Sequence, residues 1–472
     1  MSIITRILDH SSSKPLHVAI QEKDVSITYE QLASDIRRVS NSMKLTVGVG
    51  EFVIIHASNS YEFILTYFSV HYTGAKAVII ASDSEKNYKE FVVNTVKPKL
   101  VVCDCKSYVN NIVQSNESNA CLAQESEHAD LMFTSGTTGE PKGVPLTHAQ
   151  LTAATEHIVE QVGNTGNDVE LLLMPLSHSF GMARMRSTLF VGGTLVIGYP
   201  LQRLKGVFKA IEEHSVTGFG IVPSAWSFIT QMSKDMIAKY ASRLRYIELG
   251  SAYLAPEEKR RLTEWFPDTN IVMHYGLTEV SRAIFTCFHT DDLEAIGKVS
   301  RGAKFIIIKE DGSKAEEGEE GEIAFLAPWM ASEYYNNPLL TSKSYFEGYL
   351  LTGDLGKYQG EYLYLTGRLK EVINVGGKKV SPYQVEDVLN QCDGILESAC
   401  IPFSDKNMGE VVQAYVVLEP ENTAEFSEIV GNLKQYAAEH LPVHMRPQKF
   451  HKINSLPKTP LGKLQRLKLA SM

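Results

Sequence analysis

Short apolar runs separated by stretches of helical period dominate the first part of the chain. Phe52-Val53-Ile54-Ile55, Ala77-Val78-Ile79-Ile80 and Lys99-Leu100-Val101-Val102-Cys103 predict buried strands. Between the first two, Glu62, Phe63, Tyr67 and Phe68 predict a helix. Ser26-Ile27-Thr28-Tyr29 predicts a short strand running into a helix start. Further on, residues 146–160 predict an amphipathic helix capped by Thr147, residues 171–175 an apolar strand, and Phe219-Gly220-Ile221-Val222 a strand entering a helix. Strands alternating with helices imply parallel α/β layers. Two apolar strands around Glu310-Asp311-Gly312 carry a hairpin signal. Residues 115–128 are polar and predict an exposed connector, and the acidic run 316–322 a solvated turn.

After residue 370 the pattern changes. Val372-Ile373-Asn374 predicts a short strand, Gly376-Gly377 a turn, and Ser381-Pro382-Tyr383-Gln384 a capping box with Pro at the first helical position. A strand over 414–418 and a helix over 428–441, stopped by Pro442, complete an α+β unit of about 100 residues. The fold class expected is therefore α/β. A large N-terminal domain of several subdomains, residues 1–368, has parallel-type sheets and helices. A small α+β C-terminal domain spans residues 369–472.

Composition bounds this picture. At 472 residues the chain exceeds one core, so about two to four domains are expected. Apolar content of 44% and charged content of 21% are ordinary for a water-soluble protein, and a net charge of −9 argues against nucleic acid as the main partner. The charge is uneven: residues 442–472 hold seven Lys/Arg and no Asp or Glu. That basic stretch suits an acidic cofactor or protein, or simply solvent. The six cysteines are scattered, and Cys103-Asp104-Cys105 lacks a second pair, so free thiols in a reducing cytoplasm are expected and a zinc site is not. No apolar run is long enough to span a membrane, and no secretory signal is evident at the N-terminus.

The densest chemistry lies at residues 134–143. Thr134, Ser135, Gly136, Thr137, Thr138 and Gly139 put four hydroxyls and two glycines in six residues, directly after the apolar Leu131-Met132-Phe133. Glycine lets backbone N–H groups turn inward and a ligand come close. Such a loop suits a polyphosphate, and Lys142 adds one point charge. It is not a Walker loop, which needs Gly-Lys followed by Ser or Thr; Lys142 precedes Gly143 instead, and Gly462-Lys463 is followed by Leu464. A second constellation is Tyr275-Gly276-Leu277-Thr278-Glu279: a ring to stack a base, a glycine for close approach, a hydroxyl for a phosphate oxygen, and a hard carboxylate for Mg²⁺. Asp354, presented after Gly353, suits bidentate bonding to two ribose hydroxyls. His178 ends a predicted strand, where α/β enzymes bind ligands. Arg184 and Arg186 are two residues apart on the next helix, about 200° around its axis, so at most one faces a pocket. The simpler expectation is that both lie on a polar face.

Taken together, these stretches resemble the acyl-adenylate-forming superfamily of acyl-CoA synthetases, luciferases and peptide-synthetase adenylation domains. The resemblance runs from about Thr28 to Arg466 and rests most firmly on residues 134–143, on Tyr275 to Glu279, and on Thr366-Gly367-Arg368-Leu369-Lys370. It implies ATP, Mg²⁺ and CoA, or phosphopantetheine on a carrier protein, as cofactors. Gly250, Ser251 and Ala252 match the turn on which adenine lies, although Ser251 and Tyr253 depart from the usual residues. Arg368 would reach the ribose or phosphate. Lys370 matches the hinge of a mobile C-terminal domain, and Lys463, in Pro457-Lys458-Thr459-Pro460-Leu461-Gly462-Lys463, matches the catalytic lysine that meets the carboxylate and α-phosphate. The Pro175-Leu176-Ser177-His178 motif implies that His178 lines the acid pocket, with Phe180, Ser224, Trp226 and Tyr253 as its other candidate walls; Trp226 reads equally as core. Arg282 is a weaker candidate for the same pocket. The Phe-Asp motif usual in amino-acid-activating domains is missing at Ser179-Phe180-Gly181, which favours an aryl or aliphatic acid.

The resemblance implies catalysis by Lys463, Thr278, Glu279 and His178. An acid is joined to AMP and then passed to a thiol, most simply CoA, by an acid–thiol ligase. Loading of a carrier protein is the first alternative. Amide formation and an inactive nucleotide-binding protein are others.

Overall fold

The apolar runs form strands that pair mostly in parallel. A computed structural model describes residues 2–112, 127–135, 141–458 and 464–470, with only the backbone of Ser135. The chain divides into two compact units, Met1–Lys304 with Leu326–Leu350, and Phe305–Phe325 with Leu351–Met472.

The first unit holds two sheets. One has the strand order Leu100–Val102, Phe52–Ala57, Lys76–Ala81, His128–Ser135, Pro141–Thr147; all neighbours are parallel except the last pair, which closes as a hairpin. The other runs Gly297–Val299, Ile284–Cys287, Asn270–Tyr275, Tyr246–Gly250, Gly218–Ile221, Val169–Leu171, Thr194–Ile197, Val18–Glu22, Val25–Thr28. Its six central strands are parallel and its ends antiparallel. The apolar cluster holding Ile55, Phe63, Ile79, Met182 and Leu195 draws on both sheets and the helices beside them. Helix Tyr61–Thr73 is buried along almost its whole length, as an apolar face all round demands. Helix His148–Val162 starts as its cap predicts: Thr147 accepts from Gln150 N, and the Gln150 side chain returns to Thr147 N.

Strands Lys304–Ile308, Gly321–Leu326, Tyr349–Gln359 and Tyr362–Arg368, most of whose residues belong to the second unit, lie side by side. The predicted turn at Glu310-Asp311-Gly312 closes through Gly312 N to Lys309 O at 2.9 Å. A second sheet orders Lys378–Val380, Ile373–Val375, Gly409–Leu418 and Ile395–Asp405, with Lys449–Lys452 parallel to Gly409–Leu418. Helices Pro382–Leu389 and Phe426–His440 pack on its apolar face through Val385, Leu389, Ile429 and Leu433. The fold is thus the α/β class with a smaller α+β part.

Three local expectations are corrected. The strand predicted over 171–175 stops at Leu171; Leu172 N still reaches Val196 O at 2.9 Å, and the chain then turns towards Pro175, which has no N–H to give. Ser381 does not cap its helix by a side-chain bond; Pro382 at the first position supplies the start. The third correction is the largest. Neither Arg184 nor Arg186 lies on a polar face, because helix Ser179–Val191 is buried from Phe180 to Phe190.

The two guanidiniums leave that helix in opposite directions, each to a carboxylate in a different sheet. Arg184 bonds Glu170 (Nε to Oε1, 2.7 Å) and Glu248 (Nη1 to Oε2, 2.9 Å) on strands of the larger sheet. Tyr246 donates to Glu170 at 2.7 Å. Arg186 bonds Asp130 at 2.8 Å on the smaller sheet, where Tyr67 and His71 also meet that carboxylate at 3.0 and 2.9 Å. Arg282, which also bonds Glu248 at 2.5 Å, brings the buried cations to three against three carboxylates, as desolvation requires.

Removing one member leaves an uncompensated buried charge. We therefore expect Arg184→Met to cost about 3–5 kcal/mol, read as a large fall in thermal midpoint. Arg260→Met, which breaks the exposed pair with Glu294, should change stability by less than about 1 kcal/mol. Equal effects from the two substitutions would contradict the role given to the helix.

Candidate functional site

The strand His128–Ser135 and its hairpin partner Pro141–Thr147 set Thr134 opposite Lys142 and Phe133 opposite Gly143. Asp130 anchors the base of this hairpin through Arg186, so the hydroxyl-rich loop leaves a fixed platform. For the Asp130 carboxyl, burial alone would raise its pKa. The bonds from His71 and the charge of Arg186 outweigh it and hold the group below the usual carboxylate range. Gly136, Thr137, Thr138, Gly139 and Lys463 lie outside the described residues.

The Tyr275 loop follows strand Asn270–Tyr275. Gly276 is required there, since a Cβ would stand 1.6 Å from the Ser281 carbonyl oxygen. Val280 N bonds Leu277 O at 3.2 Å, turning Thr278 and Glu279 out of the strand line. A segment from Trp329 to Tyr335 holds this loop. Trp329 Nε1 donates to Val280 O at 3.0 Å, Ala331 N donates to Glu279 O at 2.7 Å, and the Tyr334 hydroxyl donates to Glu279 Oε1 at 2.7 Å. The same segment reaches the hairpin: Tyr335 N bonds Gly143 O at 2.8 Å, and the Lys142 ammonium lies 5.3 Å over the Tyr334 ring. Lys142 and Glu279 thus meet the same side chain.

Strand Tyr246–Gly250 delivers Gly250, Ser251 and Ala252. A Cβ on Gly250 would lie 2.2 Å from the His274 ring, which explains the glycine. Ser251 adopts φ +73°, a left-handed conformation that costs a serine about 1 kcal/mol or more. That conformation is where the resemblance expects glycine. Beneath the turn, His274 Nδ1 lies 2.7 Å from Glu248 Oε1, and Arg282 Nε bonds the same oxygen at 2.5 Å. Burial raises the Glu248 carboxyl, but Arg282, Arg184 and His274 overcome it and pull it well below its usual range.

The candidate acid-pocket residues separate. Phe180 is buried, edge-on to His274 at 4.7 Å and under the Arg282 guanidinium at 5.0 Å. His178 immediately precedes helix Ser179–Val191, half-buried, with burial lowering its pKa and Asp83 opposing the shift. Ser224 is half-buried at the start of helix Pro223–Ser233. Trp226 is fully buried against Trp265 and Phe266, and its indole N–H points to Glu258 at 3.3 Å. Tyr253 is 58% exposed. Arg282 is bound into the network under the turn rather than standing free; its Nη2 has no partner among the described residues.

In the second unit, Asp354 and Arg368 face each other across paired strands, and Arg368 Nε meets Asp354 Oδ1 at 2.7 Å. Gly353, at φ +74°, turns the chain, and its N–H is taken by Glu322 at 2.8 Å. Lys370 is exposed just beyond strand Tyr362–Arg368. Part of the basic stretch is not solvated: Arg466 bonds Glu371 at 2.8 Å, Glu386 at 2.9 Å and the Cys400 carbonyl at 3.0 Å. Among the described residues no group of three or more His, Cys, Asp or Glu side chains gathers as a metal site, and no helix is long and apolar enough to cross a membrane.

Comparison with known proteins places this geometry. The AMP-binding enzyme family matches residues 8–335, and the AMP-binding enzyme C-terminal domain matches 384–463. The chain belongs to the AMP-binding enzyme family. A 4-coumarate–CoA ligase-like protein of Arabidopsis thaliana is 28% identical over 85% of this chain and 73% of its own length. The 2-succinylbenzoate–CoA ligase of Bacillus subtilis is 26% identical over 98% and 96%. The crystal structure of ATP-bound MatB from Rhodopseudomonas palustris superposes with a TM-score of 0.90 over 100% of this chain and 99% of that one, at 22% identity, a likeness of fold.

Burial also fixes a pH response for this AMP-binding enzyme. His148 is pushed from 6.5 down to about 3, and His157, stacked on Trp329 at 4.2 Å, to about 4; His274 falls to about 4 as well. Each is neutral in the fold and takes up a proton on unfolding below 6.5. Their stabilisation is therefore complete above pH 6.5 and drains away as pH falls towards 4. The thermal midpoint should be level from pH 8 to 7 and drop below 6.5, and His157→Phe should make the drop shallower. An unchanged slope in that variant would contradict this assignment.

Proposed function

We propose that this enzyme is an AMP-forming acid:CoA ligase. The observation that carries the reading is the meeting of Lys142 and Glu279 at Tyr334, with the Lys142 ammonium over the ring at 5.3 Å and Glu279 on the hydroxyl at 2.7 Å. It sets a phosphate-type cation beside a magnesium-type carboxylate, the two groups a triphosphate needs. Magnesium commonly takes one or two carboxylates, waters and substrate phosphates rather than an all-protein cage, so a lone Glu279 with the Thr278 hydroxyl fits it. When bound, the ion neutralises charge on the triphosphate.

In the first step a carboxylate oxygen of the acid attacks the α-phosphorus of ATP. The new P–O bond forms as the bond to pyrophosphate breaks, leaving acyl-AMP. Two anions must approach, so the protein's contribution is positioning and charge neutralisation. Lys142, Thr134, Ser135 and the loop residues 136–139 bind the phosphates. Tyr275 and the 250–252 turn take the adenine, Asp354 the ribose hydroxyls, and Arg368 the ribose or phosphate. His178 lines the carboxylate end of the acid pocket, with Phe180 and Ser224 as walls. Lys463 meets the carboxylate and α-phosphate. In the second step a thiolate attacks the acyl carbon and AMP leaves. Rotation of the C-terminal domain, residues 369–472, about Lys370 withdraws Lys463 and admits the thiol. The acid is aryl or aliphatic, and the compartment is the cytoplasm.

Acid-dependent exchange of labelled pyrophosphate into ATP tests the first step. Lys463→Ala should slow it by on the order of a hundredfold to a thousandfold, while supplied acyl-AMP still reacts with CoA at close to the wild-type rate. Equal loss in both half-reactions would overturn the role of Lys463. Transfer to a phosphopantetheinyl carrier protein without any acyl-CoA would replace CoA as the acceptor.

A further inference from the structure

Tyr334 belongs to none of the motifs that carry the functional reading, yet it is buried and touches two of them. Its hydroxyl donates to Glu279 Oε1 at 2.7 Å, and its ring lies beneath the Lys142 ammonium. Its own backbone is fixed on both sides. Tyr334 N donates to Thr341 Oγ1 at 2.9 Å, Tyr335 N bonds Gly143 O, and the neighbouring Ala331 is pinned between Glu279 O and the Tyr345 hydroxyl, at 2.7 and 2.5 Å. A hydroxyl mounted this firmly does not follow the carboxylate; the carboxylate follows it.

A free glutamate side chain has three soft torsions, and ordering them costs rotamer entropy. One oxygen tied to a rigid donor removes most of that freedom before any ligand arrives. It also leaves the other oxygen to act as a single-point metal ligand. We propose that Tyr334 is a positioning residue that fixes the Glu279 carboxylate to receive the divalent cation carried by ATP, and so couples metal capture to the hairpin that binds the phosphates. The proposal rests on the nucleotide-binding reading above and adds to it a residue and a dependence on metal.

The test is binding, read without turnover. Affinity of the full chain for ATP is measured by calorimetry in EDTA and in saturating Mg²⁺, for wild type, Tyr334→Phe, Glu279→Gln and the double variant. Phenylalanine keeps the ring, its packing and its contact with Lys142, and removes only the hydroxyl. Tyr334→Phe should lower Mg²⁺-dependent ATP affinity roughly tenfold, the loss expected for a hydrogen bond to a charged group, and leave affinity in EDTA unchanged. In the Glu279→Gln background the same substitution should have little further effect, since the two act through one group. The proposal is overturned by an unchanged Mg²⁺ response in Tyr334→Phe, by equal losses with and without metal, or by losses that add in the double variant. A wild-type protein that binds no ATP under either condition would instead overturn the nucleotide reading on which this one stands.

Discussion

Two arginines on one buried helix hold the first unit together around its candidate groups. Helix Ser179–Val191 runs through the core, and residues 184 and 186 project to opposite sides because two positions rotate about 200°. Arg184 binds Glu170 and Glu248 in the larger sheet, and Arg186 binds Asp130 in the smaller. A hydrophobic helix slides with little penalty; one bolted by three buried ion pairs has a single register. Buried pairs are weak sources of net stability but strong constraints on geometry, because a shift of either partner leaves a charge unpaired.

Candidate groups hang from those two bolts. Asp130 lies four residues before Thr134, on the strand that becomes the hydroxyl-rich hairpin. Glu248 lies two residues before Gly250 and also receives Arg282 and His274, which flank the Tyr275 loop. His178 immediately precedes the helix itself. The helix therefore sets the Thr134 hairpin, the Gly250 turn and His178 in one frame. The segment from Trp329 to Tyr335 then ties hairpin and Tyr275 loop to each other directly.

Much of this was legible in the residues, and the misses share a cause. Local period found strands Phe52–Ala57 and Lys76–Ala81, and Thr147 marked a helix start. Spacing nominated Glu279 and Asp354 as candidates, because each stands inside a short motif. What local pattern missed depends on partners far away in the chain. Arg184 meets a carboxylate 64 positions later, and Tyr334 meets one 55 positions earlier. Nothing near Arg184 announces Glu248. A signal did exist: Asp130, Glu170 and Glu248 each interrupt an apolar strand, and an acidic residue in such a place must have a cation beside it. Two arginines on an otherwise apolar helix were the complement. Ser251 shows the converse, a residue whose departure from the expected glycine was visible in sequence but whose left-handed backbone was not.

The function proposed for these groups is attack of a carboxylate on the α-phosphorus of ATP. The most direct measurement gives the enzyme a substrate acid labelled with ¹⁸O in both carboxyl oxygens, together with ATP and CoA, and follows the label by mass spectrometry. One ¹⁸O is expected in the phosphate of each AMP and none in pyrophosphate. Label found in inorganic phosphate with ADP, or AMP that carries no label, would contradict it.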